Sequence, residues 1–300
     1  PRHDAARLRI IRGRACHTLS AYLRCMKPYN PSPTPHPETT STEFLPTRDP
    51  AVTFRFGAHT DVGRVRAGNE DSHRVCRTGA VVCDGLGGHN AGEVASHIAS
   101  SVIADAITAG IESPEDLGKA IQRANTAVHD DAKNNPSRNE MGTTAVAVVA
   151  LPGDAPRVAV ANTGDSRAFL YRTGDLIAAS VPHNVAQRLI ENGVDPTEAY
   201  AQWNAGMLTE AVGMSSEVRV DVCVVTAEPG DRFLLASDGL TDLVSPEDIA
   251  EALWRHRDPQ VCAENLVALA NERGGVDNIT AVVADVVIAN AVTAGQVTTA

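Results

Sequence analysis

The sequence predicts an α+β domain built on antiparallel sheets, and three observations carry that expectation. Strand-like runs follow one another through tight turns at Thr163-Gly164-Asp165-Ser166, Thr173-Gly174-Asp175 and Glu228-Pro229-Gly230-Asp231. Helical segments come in pairs, one early and one late, instead of one after each strand as a doubly wound parallel sheet requires. The apolar runs are strand-sized: the longest, Ala145 to Leu151, is far short of the roughly 18 residues a membrane helix needs.

Residues 1–50 stand apart from this pattern. Arg7 to Met26 has the composition of a short basic amphipathic helix, and Lys27 to Pro50 holds seven prolines among many Ser and Thr, the mark of a disordered linker. The sequence starts at Pro1, so a preceding leader stays open. The folded domain is expected over residues 51–288 and a flexible tail over 289–300. Val52 to His59 alternates apolar and polar residues like a strand. A polar loop follows, Thr60 to Ser72, with two glycines and the acidic pair Glu70-Asp71. Val75 to Cys83 reads as a strand or hairpin interrupted at Thr78-Gly79. Gly92 to Ala109 and Pro114 to Ala132 have helical spacing, and Ser113-Pro114-Glu115 is a start signal for the second.

From Gly142 the pattern turns to strands: Thr143 to Leu151, Arg157 to Asn162 and Arg167 to Arg172, with Thr163 to Ser166 read as a hairpin turn between the last two. Leu176 to Ala179 continues them. Residues 180–215 hold a short helix, Asn184 to Glu191, a turn at Asn192-Gly193 and an irregular stretch, an excursion from the core. Val218 to Val225 and Arg232 to Ala236 resume strands. Helices open at Ser245-Pro246 and Asp258-Pro259, and Ile279 to Ile288 is the last strand. There is no internal repeat.

Charge and cysteine usage narrow the class. The net charge is −11, yet residues 1–50 carry eight Lys/Arg against four Asp/Glu, leaving 18 against 33 for the rest. An acidic body argues against nucleic-acid binding and suits either plain solubility or a site that gathers carboxylates around cations. Six cysteines show no close pairing and no CxxC, and four lie in apolar surroundings, as in a reduced, cytoplasmic protein.

The chemistry gathers around Ala80 to Glu93, where an apolar run ends in Asp84-Gly85-Leu86-Gly87-Gly88-His89 ahead of a helix. The design returns at Phe233 to Asp242, with Ser237-Asp238-Gly239. Glu70, Asp71, Asp84, Asp238 and Asp277 all sit beside Gly, Asn or a small-residue turn near strand ends. Any one alone is most simply a turn residue; five in one domain point to a cation. Hard carboxylate oxygens suit Mg²⁺ or Mn²⁺, whereas zinc would call for nitrogen or sulfur in patterns that are absent here. The glycine-rich turn has neither the GK[ST] of a Walker loop nor a complete GxGxxG, because Asn90 takes the sixth place. Its glycines read as clearance around an acidic ligand.

Seven motifs now stand in order: Arg66-Ala67-Gly68-Asn69-Glu70-Asp71-Ser72, Asp84 to His89, Met141-Gly142-Thr143-Thr144-Ala145, Gly164-Asp165-Ser166-Arg167, Leu208-Thr209, Ser237 to Asp242 and Asp277-Asn278-Ile279-Thr280. Together, over roughly Phe54 to Val287, they resemble the bacterial branch of the metal-dependent type 2C serine/threonine protein phosphatases. That resemblance implies a sandwich of two antiparallel β-sheets flanked by helix pairs (α-β-β-α), with two Mn²⁺ or Mg²⁺ ions in a cleft at one end. By motif position, Asp84 would bridge both metals and the Gly85 carbonyl would join one. Asp238 and Asp277 would hold a metal, Glu70 and Asp71 would act through metal-bound water, and Arg66 would grip the substrate phosphate with its forked donors. A hydroxide bridging the two ions would attack phosphorus directly. The leaving oxygen would take its proton from a metal-bound water or from His89, a residue read more readily as structural.

Three positions depart from the family pattern. Asn134 to Asn139 holds no acid where a third-metal ligand is common, Pro182-His183-Asn184 replaces Asp-His-Ser, and Leu208-Thr209-Glu210 replaces Leu-Thr-Arg. The resemblance implies phosphorylated proteins as partners, substrates of a Ser/Thr kinase, and a monomeric enzyme with no nucleic acid and no membrane span. A catalytically weak phosphoprotein-binding or sensory module on the same fold is the alternative, motivated by the altered positions and opposed by the retained Arg66, Asp84, Asp238 and Asp277.

Overall fold

A computed structural model describes residues 27–28, 51–87 and 91–288. The expected basic helix, most of the expected linker, His89 and the expected tail lie outside the described residues. In chain order the elements are β1 (Lys27–Pro28), β2 (Val52–Asp61), β3 (Asp71–Cys76), β4 (Gly79–Leu86), α1 (Ala91–Ala109) and α2 (Pro114–Asn134). There follow β5 (Gly142–Thr143), β6 (Ala145–Ala150), β7 (Arg157–Thr163), β8 (Arg167–Arg172), β9 (Asp175–Ala178), α3 (Val185–Glu191) and α4 (Pro196–Tyr200). The chain closes with β10 (Asp221–Thr226), β11 (Arg232–Ala236), α5 (Asp238–Thr241), α6 (Pro246–Arg255), α7 (Pro259–Glu272) and β12 (Ile279–Ile288).

Period-two alternation decides the layering. In β4, Ala80 and Val82 face one way and Val81 and Cys83 the other, and all four are fully buried. Ala80 and Val82 join Val146, Val148, Val158 and Val160 against Leu170, Phe233, Leu235 and Val282 of the second sheet. Val81 and Cys83 pack under Ala99, Ile103, Leu117 and Ile121 of α1 and α2. On the far side, Leu234, Ala281 and Val283 lie under Leu253, Leu266 and Val267 of α6 and α7. Burying a side chain such as Phe233 or Leu234 contributes roughly 2–3 kcal/mol each. The result is helix pair, sheet, sheet, helix pair, the α-β-β-α sandwich expected.

One sheet runs β1-β10-β7-β6-β4-β3 with β5 added to β4; the other runs β2-β12-β11-β8-β9. Every strand pairing is antiparallel. Helices α2, α6 and α7 start at their sequence signals, each with Pro in the first turn. Ser113 and Ser245 accept from the amides of Asp116 and Asp248, and Asp258 from those of Gln260 and Val261.

One turn behaves otherwise than expected. Thr163 to Ser166 is not a hairpin turn: β7 pairs with β6 and β10, whereas β8 pairs with β11 and β9 in the other sheet. Both edges of β7 are taken, so the chain crosses between sheets there, with Gly164 at φ +97° making the bend. Glu228 to Asp231 likewise carries the chain from β10 to β11 across the sandwich. Between β9 and β10 lies the excursion, which carries the additional helix α4 capped by Asp195. Among the described residues no helix is long and apolar enough to cross a membrane.

Candidate metal centre

All the acids singled out in the sequence come to one end of the sandwich. Antiparallel register sets Asp71 at the start of β3 directly opposite Asp84 near the end of β4. In the other sheet β11 finishes at Ala236 against Ala281 of β12, so Asp238, just past β11, comes beside Asp277, just before β12. Hydroxyls tie the two sheets: Ser237 Oγ and Thr280 Oγ1 donate to Asp71 Oδ2 at 2.8 and 2.6 Å. Asp71 Oδ1 is buried with no hydrogen-bond partner.

Asp84 is held through its backbone. Its N–H donates to Thr144 Oγ1 at 2.9 Å, and its carbonyl accepts from Thr143 Oγ1 at 2.8 Å and Thr144 N at 2.9 Å. Thr144 Oγ1 lies 2.7 Å from Ser166 Oγ. Gly85 must be glycine: a Cβ there would overlap the Gly92 carbonyl and sit 2.6 Å from the Glu70 carbonyl oxygen. Asn278 fixes the other wall. Its Oδ1 accepts from Glu70 N at 2.8 Å, and its Nδ2 donates to the carbonyls of Val62 and Gly68.

The electrostatics are those of crowded carboxylates. Loss of water, then the charges of Asp238 and Asp277, push Asp71 up to about 7 against the opposing pull of Thr280 and Ser237. Asp84 is raised well above the usual carboxylate range by loss of water and by Asp71 and Asp238. Asp238 is raised to about 6 by loss of water, Asp242 and Asp277, and it shares a hydrogen bond with Asp84. Glu70 is also raised, chiefly by loss of water. Arg66 supplies the opposite charge, its Nη2 2.7 Å from Asp277 Oδ2, with Glu70 and Asp238 also within its field.

Two acids in this cluster were absent from the sequence prediction. Asp165, on the crossover turn, is raised to about 7 by loss of water and by Asp238, and Asp242 is raised as well. Asp165 stood in a quoted motif; its only signal was an acid following Gly164. Among the described residues no three acid, histidine or cysteine side chains stand already at metal-ligand spacing: Asp277 is turned to Arg66, and Asp84 and Asp238 are hydrogen-bonded to each other. The donor set nevertheless fits a hard divalent cation. It is all oxygen, it includes the orphaned Asp71 Oδ1, and it holds several carboxylates whose repulsion a cation would relieve.

An α-β-β-α sandwich with a carboxylate centre where its two sheets open defines the class. Residues 63–270 match the family model of protein phosphatase 2C. The serine/threonine protein phosphatase PstP of Mycobacterium tuberculosis is 37% identical over 241 residues, covering 79% of this chain. This chain spans only 46% of that relative's length. The serine/threonine phosphatase stp of Listeria monocytogenes is 34% identical over 233 residues, 74% of this chain and 91% of that protein. A crystal structure of the PstP catalytic domain in complex with two manganese ions is 34% identical, superimposes with a TM-score of 0.70, and covers 79% of this chain and 99% of that one. The chain belongs to the protein phosphatase 2C family.

Proposed function

We propose that the chain is a metal-dependent protein phosphatase that hydrolyses phosphoserine and phosphothreonine on proteins, reversing the action of a Ser/Thr kinase. The observation that carries this reading is the convergence of Asp71, Asp84, Asp238 and Asp277 from both sheets at one end, with Arg66 beside them. Family membership and the manganese-bound relative support it.

In this reading Asp84, the Gly85 carbonyl, Asp238 and Asp277 hold two Mn²⁺ or Mg²⁺ ions, while Glu70 and Asp71 act through water. When bound, the cations supply charge to the phosphate oxygens and make water a nucleophile near neutral pH. The protein's own residues do the rest. Arg66 turns its forked guanidinium from Asp277 to the phosphate, for which its planar donors are suited. Thr143 and Thr144 hold the Asp84 backbone, so its carboxylate is aimed before substrate arrives. Ser237 and Thr280 keep Asp71 oriented by donating to one oxygen, leaving the other toward the centre. No cysteine or serine nucleophile is required, consistent with burial pushing the Cys83 thiol up. The same reading places a monomer in the cytoplasm, where buried thiols such as Cys83 and Cys262 stay reduced.

The test is hydrolysis of p-nitrophenyl phosphate with Mn²⁺. Turnover that chelation abolishes and that Asp238→Asn lowers by at least about a hundredfold supports the reading; unchanged turnover in Asp238→Asn refutes it.

A further inference from the structure

Pro182-His183-Asn184, where the chain leaves the family pattern, contains a buried histidine that the proposed chemistry does not use. His183 is 4% exposed and Asp221, its partner, is also 4% exposed. The Gly164 amide donates to His183 Nδ1 at 3.3 Å, and His183 Nε2 lies 3.1 Å from Asp221 Oδ2. An Nδ1 that accepts a hydrogen bond carries no proton, so the proton sits on Nε2 and is donated to Asp221. Arg219 closes the arrangement with two bonds of 2.9 Å to the Asp221 carboxylate. The imidazole is thereby fixed in one tautomer and one orientation.

This histidine touches two parts of the molecule at once. Its own backbone N–H donates to the Gly164 carbonyl at 2.8 Å, so the crossover turn is held by both the main chain and the side chain of one residue. Asn162 Nδ2 ties the same carbonyl to that of Val181. On the other side, the His183 carbonyl accepts from Thr209 N at 2.9 Å, and Asn184 bridges Leu208, which anchors the two ends of the excursion to each other. Beyond Gly164 come Asp165, which faces the acid cluster, and Ser166, whose hydroxyl meets Thr144 beneath Asp84.

We propose that His183 is a positioning residue that couples the excursion at residues 180–215 to the floor of the metal centre, acting through the Gly164 turn. The inference rests on reading the acidic cleft as the metal centre. The side-chain bond to Gly164 sets the turn. The bond to Asp221 aims the ring, and the path Gly164, Ser166, Thr144, Asp84 delivers that setting to the acid placed to bridge the cations. Displacing the excursion, as a bound protein would, therefore alters how tightly the centre holds its ions.

Three variants separate this role from general stability. An Asn side chain places its oxygen where Nδ1 stands and can still accept from Gly164; a Gln side chain places its nitrogen near Nε2 and can still donate to Asp221; Ala can do neither. The measurements are calorimetric Mn²⁺ affinity and amide hydrogen exchange at Gly164–Ser166 and Thr209. His183→Ala is expected to weaken Mn²⁺ binding about tenfold, the low end of what outer-shell substitutions cost, and to speed exchange at those amides. His183→Asn is expected to restore both to within about threefold of wild type, with His183→Gln resembling Ala.

Equal behaviour of the Asn and Gln variants, or rescue by Gln alone, overturns the proposal, and so does wild-type metal affinity and exchange in a folded Ala variant. Should the Ala variant not fold, the Asn and Gln pair still decides. Neither readout needs turnover: a wild-type protein that releases no phosphate from a phosphothreonine peptide refutes the proposed function and leaves this comparison intact.

Discussion

Acidification should stabilise this protein when cations are chelated, which is the reverse of the usual trend for a domain rich in paired carboxylates. Asp71 and Asp165 are held at about 7 and Asp238 at about 6, and Asp84 is raised well above the usual carboxylate range by loss of water and the same crowding. In the unfolded chain all of them titrate near 4. Each folded-state value lies above its unfolded value, so between about pH 4 and pH 7 the native state binds more protons than the unfolded state. Stability then falls as pH rises, by about 1.4 kcal/mol per pH unit for each extra proton bound.

The groups interact, so about two protons are shared among the four carboxyls. Between pH 5 and pH 7.5 that amounts to a loss of about 3–6 kcal/mol, or a fall in Tm of about 10 °C for a domain of this size. Asp221, lowered by His183 and Arg219 despite its loss of water, contributes stability that is lost only as pH falls below the usual carboxylate range, outside this window. The assay is thermal melting in EDTA at half-unit steps of pH. With saturating Mn²⁺ the slope should reverse, because the ligands must give up their protons. A chelated protein that melts at the same temperature or higher at pH 7.5 than at pH 5 refutes the crowding argument.

Other perturbations have definite expected outcomes. Gly85→Ala drives a methyl group into the Gly92 and Glu70 carbonyls, backbone atoms that cannot swing away; urea melts should show a loss of about 3 kcal/mol or more, with Mn²⁺ affinity falling too. Thr144→Val leaves the Asp84 amide without its acceptor and should cost about 1–3 kcal/mol, read in the same melts, while Thr144→Ser should recover most of it. Arg66→Lys keeps the charge but loses the fork, and should raise KM for a phosphothreonine peptide about tenfold with a smaller change in kcat. Asp231→Ala strips the carboxylate from Arg172, whose Nε and Nη2 it binds at 2.7 and 2.6 Å from a site only 1% exposed. Thermal melts should register a loss of about 1–3 kcal/mol, because two bonds to the guanidinium and the acceptor of the Glu228 amide are lost while Glu228 and the Thr226 carbonyl keep hold of Arg172.

The sequence made the helices and most strands readable for local reasons. Pro at the first turn after Ser113, Ser245 and Asp258 marks three helix starts, and the alternation in β2 and the unbroken apolar run Ala80 to Cys83 in β4 are visible in the residues themselves. The turns were less readable. Gly164 announces a change of direction, but whether the chain folds back or crosses to another sheet depends on which strand edges are already paired. One edge of β7 is taken by β6 just before it, but the other is taken by β10, which lies far on in the sequence. The short helices α4 and α5 carry too few residues for a periodic pattern to rise above chance.

At the centre the six singled-out side chains and Gly85 came together, because each lies beside a turn that the fold brings to the same end. Asp165 escaped notice because a turn aspartate is ordinary in sequence, and only its nearness to Asp238 gives it significance. His183 keeps its place in the family pattern while Pro182 and Asn184 on either side depart from it, and its partner Asp221 lies 38 positions on. Nothing short of the packed structure joins them.

The most direct test of the account is release of inorganic phosphate from a phosphothreonine peptide by the full chain as Mn²⁺ is titrated, with metal binding followed in parallel by calorimetry. Turnover should rise with metal occupancy, vanish in EDTA, and be lost in Asp84→Asn although that protein remains folded. Calorimetric saturation with Mn²⁺ and no phosphate released by the wild-type chain would contradict it.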